Sequence, residues 1–247
     1  MIQPKFRLFA GPNGSGKSTL IAEISKSFNL GVFINADLIE YELRKSKFIE
    51  LKSIFGKLTL TQEDWTSFLL FYSKSDSRVE KFHAVSLDIQ AGLLVWKGPI
   101  NSYSASIIAS FFRFELLKKK MSFSFETVMS HPSKVEFIAQ AKTAGYKTYL
   151  YFICTEDPLI NIQRVRNRKE MGGHDVPDFL IESRYFRSLQ QLFPAFMIAD
   201  RAFIIDSSNR TRNLILEKDQ DRVTIHSETI PGWVEAYLIS KLNLNTN

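Results

Sequence analysis

One eight-residue stretch constrains this chain more than any other: Gly11-Pro12-Asn13-Gly14-Ser15-Gly16-Lys17-Ser18. It matches the pattern G-x-x-x-x-G-K-[ST], in which glycines let the backbone turn tightly so that its N–H groups form a nest for phosphate oxygens. An apolar run, Phe6 to Ala10, precedes it, and a helix-like run, Thr19 to Phe28, follows. The helix would add its positive N-terminal end to the nest. This context predicts a nucleotide phosphate site rather than a chance match in a turn.

The stretch also predicts roles for single residues. Lys17 would reach the β- and γ-phosphates of ATP, and the Ser18 hydroxyl would ligate Mg²⁺. ATP and Mg²⁺ are therefore the expected cofactors. The expected nucleotide-binding residues are Gly11, Pro12, Asn13, Gly14, Ser15, Gly16, Lys17, Ser18 and Thr19.

Composition sets the broad class. The chain has 247 residues, of which 45% are hydrophobic and 23% charged, as is ordinary for a globular protein. Its single cysteine, Cys154, lies in an apolar run, which predicts a buried thiol in a reducing compartment. The sequence shows neither a signal peptide nor an apolar stretch long enough to span a bilayer, so we expect a cytoplasmic protein with no membrane partner.

The net charge of +6 raises the question of nucleic-acid binding. The arginines cluster in one segment (Arg164, Arg166, Arg168) rather than along a stripe interleaved with aromatic residues. This clustering favours a basic phosphate site, and nucleic acid is not an expected partner.

Apolar runs alternate with helix-like segments, which favours a parallel sheet covered on both faces. The predicted fold is α/β, a three-layer P-loop NTPase of nucleoside-kinase type with a mostly parallel central sheet and a helical insertion. The predicted strands are Lys5 to Ala10, Val32 to Asn35, Ser122 to Val128, Lys147 to Cys154 and Ala202 to Ile205, with Arg222 to His226 as an antiparallel edge. The predicted helices are Ser18 to Ser27, Leu38 to Lys47, Gln62 to Tyr72, Ser104 to Lys120, Ser133 to Ala144, Pro158 to Glu170, Asp178 to Leu192 and Pro231 to Leu242.

These elements predict one domain over residues 1–247, with an insertion at about 48–102 and a lid at about 157–193. Within the insertion, Val79 to Trp96 is apolar but ambiguous between strands and helix. The sequence assigns this insertion no role.

Asp37 is the first candidate on the acceptor side. It follows the second predicted strand, and ligands of open α/β sheets bind beyond the carboxyl ends of the strands. A phosphoryl acceptor hydroxyl needs a carboxylate within hydrogen-bond reach, and Asp37 is placed for that. An N-cap of the following helix explains this aspartate equally well.

Glu126 and the arginines complete the candidate set. Glu126 lies near the end of the third predicted strand and could hold Mg²⁺ through water or bind substrate hydroxyls; Asp206 is a secondary candidate for the metal. Arg164 and Arg168 are four residues apart and share a helix face, whereas Arg166 points elsewhere. The pair Gly172-Gly173 favours a mobile lid, which predicts that at least one of these arginines contacts the transferred phosphate; His174 would shape the loop.

Taken together, several motifs resemble the zeta-toxin family of P-loop kinases. They are Gly11–Ser18, Phe33-Ile34-Asn35-Ala36-Asp37, Ser122 to Ser130 with Phe125-Glu126-Thr127 at its centre, and Arg164-x-Arg166-x-Arg168 with Gly172-Gly173-His174-x-Val176-Pro177. They cover residues 5–37 and roughly 104–209; residues 48–102 lie outside the resemblance, and the Gly-Gly-His lid typifies a branch whose substrates are mostly unknown.

The resemblance implies roles for these residues. Asp37 would be the general base, and Lys17 with a lid arginine (Arg164 or Arg168) would hold the γ-phosphate. Asn35, Glu126 and Thr127 would line the substrate pocket, with Ser18 and Glu126 at the metal. Known zeta toxins phosphorylate a sugar hydroxyl of UDP-N-acetylglucosamine, so a UDP-sugar is a candidate acceptor and an antitoxin a candidate partner.

The leading hypothesis is an ATP- and Mg²⁺-dependent kinase acting on a hydroxyl of a small molecule. One alternative is a nucleotide-gated ATPase or binding module that works through a protein partner, with residues 48–102 as its contact surface. Another is a polynucleotide 5′-hydroxyl kinase, suggested by the charge. A GTPase is disfavoured, because the sequence contains no Asn-Lys-x-Asp guanine motif.

Overall fold

The computed structural model describes residues 3–56, 59–72, 87–172 and 176–242. The strands are β1 (Lys5–Ala10), β2 (Val32–Ile34), β3 (Phe48–Glu50), β4 (Leu87–Gln90), β5 (Leu93–Trp96), β6 (Phe123–Thr127), β7 (Lys147–Cys154), β8 (Arg201–Asp206), β9 (Asn213–Asp219) and β10 (Arg222–Ile225). The helices are α1 (Lys17–Ser27), α2 (Ala36–Ser46), α3 (Leu51–Phe55), α4 (Gln62–Tyr72), α5 (Ser102–Lys118), α6 (Ser133–Thr143), α7 (Pro158–Glu170), α8 (Asp178–Gln190), α9 (Leu192–Ile198), α10 (Gly232–Val234) and α11 (Ser240–Leu242), the last two joined by a π-helical turn, Glu235–Ile239.

The chain divides into two compact units. The first combines Met1–Leu30 with Ser124–Asn247, and the second is Gly31–Phe123. The central sheet has seven strands, and those of the first unit follow the order β10-β9-β8-β7-β1-β6. β7 pairs in parallel with both β1 and β8, while β9 and β10 add an antiparallel edge. The predicted α/β fold with a mostly parallel sheet is confirmed.

The central strands are apolar because one of their faces is fully buried and the other is fully or partly buried. Leu8 of β1 lies opposite Leu150 of β7, and Phe152 of β7 lies opposite Ile204 of β8; all four side chains are fully buried. Strands buried on both faces give continuous apolar runs in the sequence, which is why these strands could be predicted from it. Cys154, at the end of β7, is buried as predicted, and burial raises the pKa of its thiol.

One strand of the first unit escaped prediction because a charged residue in it is buried. Lys218 of β9 is 7% exposed, and its ammonium donates to the carbonyls of Phe196, Met197 and Ala199 at 2.8, 2.8 and 3.0 Å. These carbonyls belong to the C-terminal turn of α9, where a cation is favourable. Burial lowers the pKa of Lys218. Nothing in the local sequence indicates these long-range acceptors.

The second unit contains a small antiparallel sheet with the strand order β3-β5-β4. β4 and β5 form a hairpin whose turn residues, Ala91 and Gly92, both have positive φ, of 49° and 78°, as the tight turns of right-twisted hairpins require. The segment predicted as a helical insertion thus holds strands as well as α3 and α4. The ambiguous stretch Val79 to Trp96 forms strands over 87–90 and 93–96, and its residues 79–86 lie outside the described residues.

α4 and α5 build the aromatic core of the second unit. Trp65 and Phe68 of α4 lie 5.2 and 5.5 Å from the Phe111 ring of α5, measured between ring centroids. α4 begins with a capping box: Thr61 N donates to Asp64 Oδ2 at 3.1 Å, and Asp64 N donates to Thr61 Oγ1 at 3.3 Å. Among the described residues no helix is long and apolar enough to cross a membrane.

A buried carboxylate in α5 gives a first testable prediction. Glu115 is fully buried, and its Oε2 has no hydrogen-bond partner among the described residues. Burial and the nearby Asp64 raise the pKa of Glu115, despite Lys118 and Lys119. Because the folded state favours the protonated form, wild-type stability falls as pH rises above the unfolded pKa of this group. We expect Glu115→Gln to raise the free energy of unfolding at pH 7 by about 1 kcal/mol.

The measurement is urea unfolding between pH 4 and pH 8. The gain of Glu115→Gln over wild type should grow with pH, since the variant has no proton to lose. Glu228→Gln, at an exposed position, is the control and should give no gain. A Glu115→Gln gain that does not change with pH would show that the buried charge is not its source.

Candidate active site

The phosphate loop, Gly11–Ser18, joins β1 to α1 as predicted. Gly14 and Gly16 have φ of 74° and 88°, in the left-handed region that residues with a Cβ rarely adopt. Gly11 has no room for a side chain, because a Cβ there would lie 1.9 Å from the carbonyl oxygen of Ile153. The glycines are therefore needed both for the turn and for close packing against the end of β7.

Side chains from distant segments hold this loop. Asn161 of α7 donates from Nδ2 to the Asn13 carbonyl at 2.6 Å, and Ser207, just after β8, donates from Oγ to the Ser15 carbonyl at 2.8 Å. Asn161 is itself held by a hydrogen bond from the Thr155 hydroxyl. These hydrogen bonds hold the loop carbonyls in place before any phosphate binds. The loop therefore loses less conformational entropy on binding than a free loop would.

Lys17 folds back over the loop. Its ammonium donates to the carbonyls of Gly11 and Pro12, both at 2.8 Å. The Ser15 hydroxyl is fully buried and has no hydrogen-bond partner among the described residues. A cation at the loop and a buried hydroxyl without a partner both suit an anion such as the phosphates of ATP.

Ser18 and Glu126 come together as the sequence predicted. Ser18 Oγ donates to Glu126 Oε2 at 3.4 Å, from the first turn of α1 to the end of β6. Thr127 follows Glu126, and its hydroxyl accepts a hydrogen bond from Met129 N at 3.1 Å. A hydroxyl beside a carboxylate fits Mg²⁺, which proteins hold with one or two oxygen ligands plus substrate phosphates and water. Among the described ranges no group of three or more His, Cys, Asp or Glu could hold a metal by itself.

The arginines of α7 have different surroundings. Arg164 is partly buried and donates from Nη2 to the carbonyls of Ser207 at 2.7 Å and Ser208 at 3.3 Å. Arg166 forms an exposed ion pair with Asp178 of α8. Arg168 is exposed one turn beyond Arg164. Arg164 thus joins α7 to the same serine that holds the phosphate loop.

The predicted lid begins with well-formed local structure. Asp157 caps α7 through a 2.8 Å hydrogen bond from Leu159 N, with Pro158 at the first helical position, both residue types being favoured there. Residues 173–175, which include His174 of the predicted loop, lie outside the described residues. The lid therefore stays a prediction.

Asp206, the secondary candidate for the metal, has another role. Its Oδ1 accepts hydrogen bonds from Trp233 Nε1 at 3.1 Å and from Ser208 Oγ at 2.8 Å, and its Oδ2 accepts one from Ser208 N at 3.1 Å. The residue is 6% exposed. These contacts engage both oxygens in shaping the turn after β8, which favours a structural role for Asp206; its secondary candidacy for the metal stays a prediction.

Asn35 and Asp37 belong to the second unit. The N-cap of α2 is Asn35, whose Oδ1 accepts from Asp37 N at 2.8 Å and Leu38 N at 3.2 Å. Asp37 is therefore the second residue of the helix, and its carboxylate is exposed. The alternative in which Asp37 caps the helix is wrong, because the capping role belongs to Asn35.

Replacing Gly14 of the phosphate loop with alanine tests whether close packing, rather than backbone strain alone, requires a glycine there. An alanine Cβ at Gly14 would lie 2.6 Å from the Asn161 carbonyl oxygen, whereas Gly92, with a similar φ of 78°, has nothing within 4 Å. We expect Gly14→Ala to weaken ATP affinity at least about tenfold, because the loop must shift to relieve the contact.

The measurement is titration calorimetry with ATP. Gly92→Ala is the control: it should lower the melting temperature, since a left-handed Cβ costs about 1–2 kcal/mol, but leave ATP affinity unchanged. Equal ATP affinity in Gly14→Ala and wild type would contradict the packing argument.

The sheet and the phosphate loop at the end of β1 define a P-loop fold. No protein-family profile matches the sequence, and no curated protein sequence matches it. Similar solved structures do exist. The AvrRxo1-ORF1:AvrRxo1-ORF2 complex with sulphate ions gives a TM-score of 0.57 at 14% identity over 92% of this chain. The same pair with ATP gives 0.54 at 14% identity over 91% of this chain.

A third similar structure is from the PezAT chromosomal toxin–antitoxin system of Streptococcus pneumoniae, with a TM-score of 0.50 at 16% identity. The match covers 86% of this chain and 71% of that one. This chain spans 62% and 61% of the two AvrRxo1 chains it matches. At such identities the likeness establishes the fold alone, and it agrees with the predicted α/β P-loop fold.

Sequence reasoning missed the residues that support the loop. Asn161, Ser207 and Thr155 are all buried and polar. A polar side chain in an apolar helical stripe was the available signal for Asn161, which lies between Ile160 and Ile162. Ser207 had no comparable signal, because its acceptor is the carbonyl of Ser15, far away in the sequence.

Proposed function

We propose that this protein is an ATP- and Mg²⁺-dependent phosphotransferase that transfers the γ-phosphoryl group of ATP to a hydroxyl of a small molecule. One observation carries the proposal. The glycine-built phosphate loop presents Lys17 and, one residue later, a Ser18 hydroxyl 3.4 Å from the Glu126 carboxylate. Phosphoryl-transfer enzymes need this combination of phosphate nest, lysine and metal ligands.

The donor half of the proposed mechanism uses residues of the first unit. Lys17 exchanges the carbonyls of Gly11 and Pro12 for the β- and γ-phosphate oxygens. Ser18 would ligate Mg²⁺, and Glu126 would hold it through water. When bound, the metal neutralises charge on the β- and γ-phosphates. Arg168 supplies positive charge to the transferred group, while Arg164 fixes α7 against the turn after β8.

The acceptor half uses Asp37. Its carboxylate accepts the proton of the acceptor hydroxyl as that oxygen bonds to the γ-phosphorus. The bond from the γ-phosphorus to the bridging oxygen breaks, and ADP leaves. Asn35 holds the first turn of α2 that carries Asp37; Asn35, Glu126 and Thr127 are the proposed contacts to the acceptor.

The partner proposal is supported by the similar structures, and the substrate proposal comes from the resemblance of the motifs to the zeta-toxin family. AvrRxo1-ORF1 is complexed with AvrRxo1-ORF2, and PezAT is a toxin–antitoxin system. We therefore include a protein antitoxin among the partners and a UDP-sugar among the acceptors to test.

The test is incubation of the protein with γ-labelled ATP, Mg²⁺ and a mixed metabolite extract, followed by identification of the labelled product. Parallel reactions contain UDP-N-acetylglucosamine, a 5′-hydroxyl oligonucleotide, or no acceptor. We expect label in a small molecule. Label in the oligonucleotide would favour a polynucleotide kinase. Release of inorganic phosphate that no acceptor alters would favour an ATPase and contradict the proposal.

A further inference from the structure

The central sheet brings two arginines and two tyrosines together near the amino ends of its strands. Arg7 of β1 lies opposite Tyr149 of β7, which in turn lies opposite Arg201 of β8. Tyr151 comes two residues after Tyr149 and lies on the same face, because side chains alternate along a strand. All four residues belong to the first unit. The pairing of three strands thus places these polar residues side by side.

Arg7 is buried without a carboxylate partner. It is 5% exposed, and its Nη1 atom has no hydrogen-bond partner among the described residues. Across the described ranges no Asp or Glu forms an ion pair with Arg7. The two acidic residues of β9, Glu217 and Asp219, pair with Arg201 instead. Because burying a charge without a counter-charge is strongly unfavourable, this guanidinium with an unused N–H donor suits an anionic ligand.

The tyrosines lie close to both guanidinium groups. The Cζ atom of Arg7 is 5.1 Å from the centroid of the Tyr149 ring, within the range of a cation–π contact. Burial raises the pKa of the Tyr151 hydroxyl, and Arg7 and Arg201 oppose that rise, so both arginines lie near this hydroxyl. Lys147 adds a third cation, with its Nζ atom 6.0 Å from the centroid of the Tyr149 ring. These five residues are called the Arg7 cluster.

The Arg7 cluster is separate from the phosphate loop. Arg7 is the third residue of β1, whereas Gly11 follows the last one. At about 3.3 Å per residue, the two are roughly 13 Å apart along the chain. Tyr149, Tyr151 and Arg201 are only half-buried, so a ligand can approach the cluster from solvent. The cluster thus lies toward the end of the strands opposite to the end that carries the phosphate loop.

The donors and the charge of the Arg7 cluster suit an oxyanion. Arginine presents paired N–H groups that match the oxygens of a phosphate, and each tyrosine hydroxyl can donate one more hydrogen bond. The three cations of the cluster face two carboxylates, Glu217 and Asp219, which leaves one positive charge in excess. A phosphate would supply the counter-charge that Arg7 lacks, whereas a metal cation would be repelled.

We propose that Arg7, Arg201 and the hydroxyls of Tyr149 and Tyr151 form a second anion site, which binds the phosphate group of a small molecule and is separate from the phosphate loop. Lys147 adds positive charge at the margin of this site. The inference goes beyond the proposed function and does not depend on it, because none of these residues takes part in the proposed transfer.

The test is an NMR titration of the full-length protein, labelled with ¹³C in its tyrosine rings. The probes are inorganic phosphate and phenyl phosphate, added at constant ionic strength in the presence of Mg²⁺ and the non-hydrolysable ATP analogue AMP-PNP, which competes for the phosphate loop. We expect saturable shifts of the Tyr149 and Tyr151 rings. Tighter binding of phenyl phosphate would identify an organic phosphate as the ligand, and equal affinity would identify free phosphate.

Two outcomes of this titration would overturn the proposal. One is the absence of saturable shifts at Tyr149 and Tyr151, or equal shifts when chloride replaces the phosphate. The other is a set of shifts that AMP-PNP abolishes, because the phosphate would then be bound at the phosphate loop.

Substitutions test the two kinds of donor separately. Arg7→Met should weaken phosphate binding at least about tenfold, because a charged hydrogen-bond donor is lost. Arg187→Met, at an exposed position of α8, is its control and should bind as wild type. Tyr149→Phe keeps the ring, removes only the hydroxyl and should weaken binding about threefold to tenfold. Its control is Tyr41→Phe, at a tyrosine that is 60% exposed.

The tyrosine pair decides the matter even where Arg7→Met does not fold, because Tyr149→Phe leaves packing and charge in place. Phosphate affinity of Tyr149→Phe equal to that of Tyr41→Phe would overturn the proposal. So would a folded Arg7→Met protein that binds phosphate as tightly as Arg187→Met.

Discussion

A Lys17→Met protein is expected to lose phosphoryl transfer by about 10²–10³-fold or more, because a charged donor to the transferred group is removed. Lys17 contacts the carbonyls of Gly11 and Pro12 at 2.8 Å, so its charge is already at the loop. The measurement is the initial rate of ADP formation with the acceptor found in the extract, at saturating ATP.

Lys26→Met is the control, since Lys26 lies in the last turn of the same helix and is exposed. It should retain the wild-type rate. The melting temperature of each variant without nucleotide separates a loss of folding from a loss of chemistry. A normally folded Lys17→Met protein that transfers phosphate at the wild-type rate would refute the proposed donor site.

Asp37→Asn should reduce transfer by about 10²–10⁴-fold, the range for loss of a general base. ATP affinity should not change, because Asp37 belongs to the acceptor half of the mechanism. α2 should stay formed, since Asn35 provides its N-cap; the lost carboxylate at the helix N-terminus costs only about 0.3–1 kcal/mol. The measurements are single-turnover transfer and ATP titration.

Asp221→Asn, at an exposed position outside both halves of the proposed site, is the matched control and should behave as wild type. A single-turnover rate for Asp37→Asn within twofold of that control would mean that another group takes the proton. A large loss of ATP affinity would instead assign Asp37 to the nucleotide.

The donor half was predictable because its signals are local. Glycine at two fixed positions, the following lysine and the serine specify a backbone and its ligands within eight residues. Glu126 could be placed beside Ser18 because parallel strands end at one edge of a sheet. Strands such as β7 are apolar on both faces. Their presence and their place in a parallel sheet could therefore be predicted from the apolar run alone.

The remainder depends on contacts between distant segments. β9 was missed because Lys218, a charged residue, is buried against the carbonyls of another element. The hydrogen bond from Trp233 to Asp206 could not be predicted, because Trp233 lies 27 positions further along the chain. The strands of residues 48–102 are three or four residues long, too short for periodicity to separate them from helix.

The supports of the phosphate loop also bear on the order in which the protein acquires activity. The partners in the Asn161–Asn13 and Ser207–Ser15 hydrogen bonds are 148 and 192 positions apart. Contacts so distant in sequence form late, because a long stretch of chain must be ordered before they are made. During synthesis the N-terminal segment would carry the whole phosphate-binding motif while its supports were still untranslated. A nascent chain would therefore remain inactive until β8 and the serine after it had left the ribosome.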